Sequence, residues 1–171
     1  MTTLISSQLV QAIRSEFRLD WRGIHGAVHW ARVRANGLTI AAANGANKRV
    51  IEYFAFLHDV CRQNDGRDHG HGQRAALFAR SIRKDLIWLS DEEFVLLEAS
   101  IEGHTGGLKH ENITVVTCWD ADRLDLTRIG IMPDPSRLFT EVGRQLAHSR
   151  EHKQHRVPTP ENYFLPKNTR T

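Results

Sequence analysis

Residues 53–60 read Tyr-Phe-Ala-Phe-Leu-His-Asp-Val. Five apolar or aromatic residues carry a predicted helix directly into His58 and Asp59, two side chains of the kind that bind metals. A buried carboxylate without a partner is costly, or its pKa rises until it is neutral. A bound divalent cation would remove that cost. The stretch therefore predicts a metal site at the inner end of a core helix.

Further candidate ligands lie on both sides of this pair. Upstream, His25 and His29 are four residues apart, so they project from one face of a helix. Downstream, residues 118–126 read Cys-Trp-Asp-Ala-Asp-Arg-Leu-Asp-Leu, and this run offers three carboxylates: Asp120, Asp122 and Asp125. Three aspartates at this spacing cannot all face one ion. The sequence leaves open whether Asp120 or Asp122 is the ligand. The interleaved apolar residues argue against a solvated acidic patch.

A glycine-rich polar loop follows the His-Asp pair at residues 63–72. Its glycines would let the backbone approach a ligand closely. Arg62 and Arg74 flank this loop and could pair with phosphate oxygens, and Asp65 lies within it. We interpret these three residues as candidates for substrate binding. His69 is interpreted as a surface residue of the loop.

The spacing of apolar residues predicts an all-α protein. Predicted helices cover residues 4–17, 24–43, 47–61, 71–84, 90–103, 113–127 and 136–149. No internal repeat or low-complexity linker divides them. Three prolines near the end of the chain, Pro158, Pro160 and Pro166, argue against regular structure there. We predict a single-domain helical bundle over residues 1–157 and an irregular tail over residues 158–171.

Composition narrows the class of protein. Of the 171 residues, 40% are hydrophobic and 25% are charged, as in ordinary globular proteins. No apolar stretch is long enough to span a bilayer, and the start of the chain lacks the pattern of a signal peptide. With two cysteines and no disulfide framework, these features predict a cytoplasmic protein that does not contact a membrane. The net charge of +3 is concentrated in the last thirty residues without interleaved aromatics, which argues against nucleic-acid binding.

The ordered set His29, His58-Asp59 and Asp122 resembles the HD-domain superfamily of metal-dependent phosphohydrolases. The sequence motifs around these residues, over residues 23–135, look like those of a small branch of that superfamily. The resemblance implies an HD-type helical bundle in which His29, His58, Asp59 and Asp122 bind the metal and His25 lines the substrate mouth. Two imidazoles and two carboxylates suit Mn, Fe, Co, Ni or Zn better than Ca.

His71 and His104 resemble the additional histidines of many HD proteins. The resemblance implies that they contact the leaving phosphate or bind a second metal, and we treat them as catalytic candidates. Asp125 joins them because it follows Asp122 by three residues and could orient a ligand. The sequence departs from the superfamily pattern at Arg62 and Gln63. Nucleotide hydrolases of this superfamily often have acidic residues at these positions. The catalytic acid or base is therefore not assigned.

The leading hypothesis is a phosphohydrolase that cleaves a small phosphomonoester or phosphodiester, nucleotide-like, through a metal-activated water. An alternative is a di-iron HD-fold oxygenase, because the six candidate ligands could hold two metals. A second alternative is a non-catalytic, metal-containing domain that binds phosphorylated ligands. The sequence does not identify the substrate, the metal or the oligomeric state, and it is compatible with an oligomer.

Overall fold

The computed structural model describes residues 4–106 and 109–149. Within these ranges the chain is all helical, which confirms the predicted fold class. The α-helices are α1 (Ser7–Glu16), α2 (Ala27–Asn44), α3 (Lys48–Leu57), α4 (His71–Leu86), α5 (Asp91–Gly103), α6 (Ile113–Arg123) and α7 (Glu141–His148), and short 3₁₀ segments occupy Leu124–Ile129 and Pro135–Arg137. In these ranges no helix has the length and apolar character needed to cross a bilayer. The predicted domain boundary at residue 157 lies outside the described residues.

Helix α3 forms the centre of the core. Every residue from Tyr53 to Leu57 is buried, and the helix packs against α2, α5 and α6. Gly37 of α2 makes this packing possible, because a Cβ atom at that position would lie 2.5 Å from Cγ2 of Ile51. The close approach of α2 to α3 places the C-terminal end of α3 in the middle of the bundle.

Helix α3 ends at Leu57, four residues earlier than the sequence predicted. The Nδ1 atom of His58 lies 3.2 Å from the carbonyl oxygen of Ala55, which is the acceptor that the next helical N–H group would use. The chain then makes a tight turn, in which Val60 N–H donates to the carbonyl of Leu57. The helix therefore ends directly before His58 and Asp59.

The predicted helices over 113–127 and 136–149 are each divided in two. Helix α6 gives way to a 3₁₀ segment after Arg123, and Gly130 ends that segment with φ at +76°. Helix α7 begins only at Glu141, because the N–H groups of Phe139 and Thr140 both donate to the Asp120 carboxylate. A tertiary contact from α6 thus fixes the start of α7.

Candidate metal centre

Six candidate ligands meet at the centre of the bundle. Helix α2 contributes His29, the turn after α3 contributes His58 and Asp59, and α6 contributes Asp122. His71 is the first residue of α4, and His104 directly follows α5. The ligand atoms form two groups that could each hold a metal ion, His29-His58-Asp59 and Asp59-His71-His104. Asp59 belongs to both groups.

The Asp59 carboxylate directs one oxygen to each group. Its Oδ2 atom lies 3.6 Å from His29 Nε2 and 3.7 Å from His58 Nε2, and we call this side the first subsite. Its Oδ1 atom lies 3.1 Å from His71 Nε2 and 3.6 Å from His104 Nε2, and we call this side the second subsite. Oδ1 is buried and has no hydrogen-bond partner among the described residues. Such an atom is expected to have a partner, and a cation between Oδ1 and the two imidazoles would supply it.

Asp122 lies beside the first subsite. Its Oδ1 atom lies 3.4 Å from His29 Nε2 and 3.7 Å from His58 Nε2. Its side chain is 20% exposed, whereas that of Asp59 is 3% exposed and those of the two histidines are fully buried. Among these four residues, Asp122 is therefore the one most exposed to solvent.

All four histidines present the same ring nitrogen to the centre. In each ring Nδ1 contacts an oxygen that can only accept, which assigns the hydrogen to Nδ1 and leaves Nε2 unprotonated in the neutral ring. The acceptors are Asp125 Oδ2 for His29, the carbonyls of Phe54 and Ala55 for His58, that of Asp68 for His71 and that of Ile101 for His104. Metal-binding histidines have this arrangement, because the second bond fixes both the tautomer and the ring orientation.

The unprotonated nitrogens face each other in pairs. His29 Nε2 lies 3.1 Å from His58 Nε2, and His71 Nε2 lies 2.8 Å from His104 Nε2. Two nitrogen lone pairs at these distances repel each other unless a cation or a proton lies between them. The donor set of imidazole nitrogens and carboxylate oxygens therefore fits divalent transition metals in both subsites.

Electrostatics keep the centre in the form that binds metal. Burial lowers the pKa of His58 to about 3, so this ring is neutral at neutral pH. Burial would raise the pKa of Asp59, but the surrounding histidines hold it well below its ordinary value. The same opposition lowers the pKa of Asp122, because the adjacent histidines, His29 first among them, outweigh the effect of burial. Both carboxylates are thus ionised, and metal would not have to displace protons from them.

Protons and metal would compete at two of the histidines. Burial alone would lower the pKa of His29, but the Asp122 and Asp125 carboxylates on either side of the ring raise it above the ordinary value. Burial alone would also lower the pKa of His104, but the nearby Asp59 and Asp122 carboxylates raise it above the ordinary value. Each subsite therefore contains one imidazole with increased affinity for a cation.

Asp125 lies behind His29, away from the centre. Its Oδ2 atom accepts the Nδ1–H hydrogen bond of His29 at 2.7 Å, and its Oδ1 atom accepts from Arg32 Nε at 2.6 Å. The sequence-based expectation that this residue could orient a ligand agrees with this placement. The contacts give Asp125 a positioning role on His29, and they place Arg32 as the counter-ion of Asp125.

Asp120 faces the opposite side of α6. Its carboxylate accepts hydrogen bonds from Phe139 N, Thr140 N and Thr140 Oγ1 at 2.7–3.1 Å. A Cβ atom on Gly143 would lie 2.6 Å from Asp120 Oδ2, so the start of α7 packs directly on this carboxylate. Asp120 therefore anchors α7, and Asp122 is the aspartate of this run that reaches the histidines.

This division of roles predicts opposite results for two matched substitutions. Asp120→Asn is expected to lower the free energy of unfolding by about 1–3 kcal/mol, because an amide cannot accept all of these hydrogen bonds, and to leave the metal content unchanged. Asp122→Asn is expected to reduce the metal content while the unfolding of the metal-free protein changes little. Denaturant unfolding and elemental analysis of both variants would test this. Metal loss in the Asp120 variant alone would contradict the assignment.

The predicted substrate-binding residues divide into two sets. His25 Nδ1 lies 2.9 Å from Asp59 Oδ2, and Arg62 Nη1 lies 3.6 Å from Asp59 Oδ1, so both border the centre. Asp65 has an exposed side chain and meets His25 through its backbone carbonyl, at 3.4 Å. Arg74 is bonded to the Asp68 carboxylate and to the carbonyl of Cys61. Arg74 and Asp65 therefore shape the loop around the centre.

Sequence reasoning missed Arg128. Its Nε atom donates to the carbonyl of Ile24 at 2.7 Å, and its Nη1 atom donates to the carbonyl of Asp125 at 3.1 Å. These bonds join the entry of α2 to the 3₁₀ segment and place the guanidinium beside His25. A usable signal was present, since Arg128 follows Asp122 and Asp125 at intervals of three residues.

Gly72 allows the second subsite to form. A Cβ atom at this position would lie 2.8 Å from the carbonyl oxygen of Ile101 and 3.2 Å from that of Glu102, both in the last turn of α5. The start of α4 can therefore approach the end of α5 closely enough for His71 to meet His104.

Gly72→Ala is expected to separate the two histidines and to remove the metal of the second subsite, because the obstructing atoms are backbone. The strain should also cost about 1–3 kcal/mol of stability, even though alanine favours helix more than glycine does. Elemental analysis and thermal unfolding would measure both effects. Gly106→Ala is a matched control, since the nearest atom to its Cβ would be 4.0 Å away. An unchanged metal content in the Gly72 variant would contradict this role.

Comparison with known proteins supports the fold. No protein-family model matches the chain, and no match was found among curated proteins. A solved structure does match, with a TM-score of 0.66 and 23% sequence identity over 84% of this chain and 83% of the other. The chain therefore shares the all-helical fold of that structure, in agreement with the fold class predicted from the sequence. The matching structure is that of a predicted HD superfamily hydrolase from an uncultured Thermotogales bacterium.

Proposed function

We propose that this protein is a metal-dependent phosphohydrolase whose two metal subsites share Asp59. The observation that carries the proposal is the position of the Asp59 carboxylate, with one oxygen toward each pair of histidines. In this proposal His29, His58, Asp59 and Asp122 hold one ion, and Asp59, His71 and His104 hold the other. The sequence left open whether His71 and His104 contact phosphate or bind a second metal. In this proposal they are ligands of the second metal ion.

The chemistry divides between the ions and the chain. When bound, divalent ions at such a site polarise a phosphoryl oxygen and lower the pKa of water toward neutrality. Asp125 holds His29 in the orientation and tautomer that the first subsite needs. His25 lies at the edge of the centre, bonded to Asp59, where it can hold or pass a proton to a leaving oxygen. Arg62 supplies a positive charge beside the second subsite.

A phosphoester is the substrate class that these surroundings favour. Guanidinium groups pair well with phosphate oxygens, and Arg62 and Arg128 both border the centre. The description of the matching structure as a predicted hydrolase supports the same reaction class. The proposal that the ester is nucleotide-like rests on the resemblance to HD phosphohydrolases.

A di-iron oxygenase is a second candidate. It is favoured by the same six candidate ligands, because four imidazoles and two carboxylates also suit a pair of iron ions. The two arginines beside the centre favour the hydrolase, since an oxygenase has no general need for paired cations around its substrate.

The experiment that separates these functions begins with protein purified without an affinity tag. Elemental analysis gives the metal content, and a panel of phosphomonoesters and phosphodiesters is then assayed with added Mn, Co and Ni. Incorporation of ¹⁸O from labelled water, into phosphate released from a monoester or into the monoester released from a diester, would support the hydrolase. Iron in both subsites with substrate-dependent oxygen uptake would support the oxygenase instead. Full metal occupancy without turnover by either assay would indicate a metal-containing binding domain.

A further inference from the structure

We propose that Arg62 and Arg128 form an anion-binding pair that holds the phosphoryl group of a phosphomonoester dianion, with one arginine beside each subsite. This inference rests on the proposed function and narrows it, because it selects monoesters over diesters and adds Arg128 to the binding residues.

Arg62 is held in place by the loop that follows the His-Asp pair. Its Nε atom donates to the carbonyl of Asn64 at 3.3 Å, and its Nη2 atom donates to that of Gly66 at 2.7 Å. The remaining nitrogen, Nη1, lies 3.2 Å from His71 Nε2 and 3.6 Å from Asp59 Oδ1. Both of these atoms are ligands in the second subsite, so with metal bound Nη1 keeps hydrogens for an anion on that side.

Arg128 is constructed in the same way on the other side. Two of its nitrogens donate to the carbonyls of Ile24 and Asp125. The third, Nη2, lies 3.5 Å from His25 Nδ1. That nitrogen is 2.9 Å from the ionised Asp59 carboxylate and must carry a hydrogen to bond with it, so it cannot also accept from Arg128. Among the described residues, no contact therefore uses the Nη2 hydrogens of Arg128, and they are available to a ligand.

Burial distinguishes this pair from the arginines around it. The side chains of Arg62 and Arg128 are 10% and 8% exposed, whereas those of Arg32 and Arg74 are 29% and 34% exposed. Arg32 and Arg74 are nearby too, but each is bonded to a carboxylate of its own, Asp125 and Asp68. Arg62 and Arg128 instead donate hydrogen bonds to backbone carbonyls. Their nearest carboxylates are farther away, at 3.6 Å for Asp59 and 4.0 Å for Asp125.

The charge of the centre selects a dianion. Three carboxylates, Asp59, Asp122 and Asp125, are balanced by the three guanidinium groups of Arg32, Arg62 and Arg128. The charge of the bound divalent ions is then left for the substrate to neutralise. A phosphomonoester carries two negative charges at neutral pH and a phosphodiester carries one, so the centre favours the monoester.

Calorimetric titration of the metal-loaded protein with inorganic phosphate tests the pair directly. At a pH where phosphate is mainly the dianion, Arg128→Gln and Arg62→Gln should each weaken phosphate binding by about 10- to 100-fold, the value of a charge-assisted hydrogen bond. Metal content should stay unchanged. Arg128→Lys, which keeps the charge, should recover part of the affinity. Arg80→Gln is the control, because Arg80 is an exposed residue paired with Glu98. The monoanion dimethyl phosphate should bind the wild type more weakly than phosphate does.

Several results would overturn the inference. Arg128→Gln with full metal content and unchanged phosphate affinity would do so, as would equal binding of phosphate and dimethyl phosphate by the wild type. Loss of metal from Arg128→Gln that Arg128→Lys does not restore would show that Arg128 acts by holding the ligands in place. Wild-type protein that binds no metal would refute the proposed function itself, which separates that failure from failure of the arginine pair.

Discussion

Asp59→Ala is expected to empty both subsites. Asp59 is the residue that the two groups of candidate ligands share, so its removal takes a ligand from each ion. The affinity for metal should fall by more than about 100-fold, because loss of a residue that merely supports a ligand already costs about 10- to 100-fold. Hydrolysis should be lost with the metal. The variant should still fold, since the apolar side chains of α3 remain in the core.

The measurement is elemental analysis after equilibration with a limiting concentration of Mn, together with the helical circular dichroism signal. Asp85→Ala serves as a control, because Asp85 is an exposed carboxylate on α4. Retention of one full equivalent of metal in the Asp59 variant would show that one subsite is complete without this carboxylate. That result would contradict the shared position of Asp59.

His71→Ala is expected to remove the ion of the second subsite and leave the first occupied. His71 Nε2 approaches Asp59 Oδ1 and His104 Nε2 and lies on the opposite side of the Asp59 carboxylate from His29 and His58. The remaining ligands, His104 and one carboxylate oxygen, are too few for a stable site. His104→Ala should have the same effect for the same reason. Activity should fall by about 100-fold or more if both ions act on the phosphoryl group.

His69→Ala is the matched control for this experiment. His69 lies two residues before His71 in the same loop, and its side chain is exposed. It should keep full metal content and activity. Loss of both ions in His71→Ala would instead mean that the centre forms as one cooperative unit. Unchanged metal content in that variant would place the second ion, if there is one, elsewhere.

The helices and the His-Asp pair could be predicted from the sequence because their signals are local. The apolar run before His58 identifies a core helix, and glycines on both sides separate it from its neighbours. The helix ends could not be predicted in the same way. Helix α3 stops where the His58 ring takes a carbonyl of its own helix, and α7 starts where α6 supplies a carboxylate to its N–H groups. These contacts depend on the tertiary arrangement.

The same limit applies to the site. Asp120 and Asp122 are two residues apart on one helix, and the sequence does not say which of them faces the histidines. The docking of α7 on Asp120 makes the distinction. Arg62 and Arg74 were likewise equivalent as candidates for phosphate. Arg74 donates hydrogen bonds to the Asp68 carboxylate, whereas Arg62 lies 3.6 Å from Asp59, a candidate metal ligand, and so borders the centre.

Anomalous diffraction from crystals of the Mn-loaded protein, recorded at the Mn absorption edge, tests the central claim most directly. We predict two anomalous peaks, one on each side of the Asp59 carboxylate. One should lie next to His29 and His58, and the other next to His71 and His104. Crystals without a peak at this carboxylate, or with peaks only at other places on the protein, would contradict this prediction.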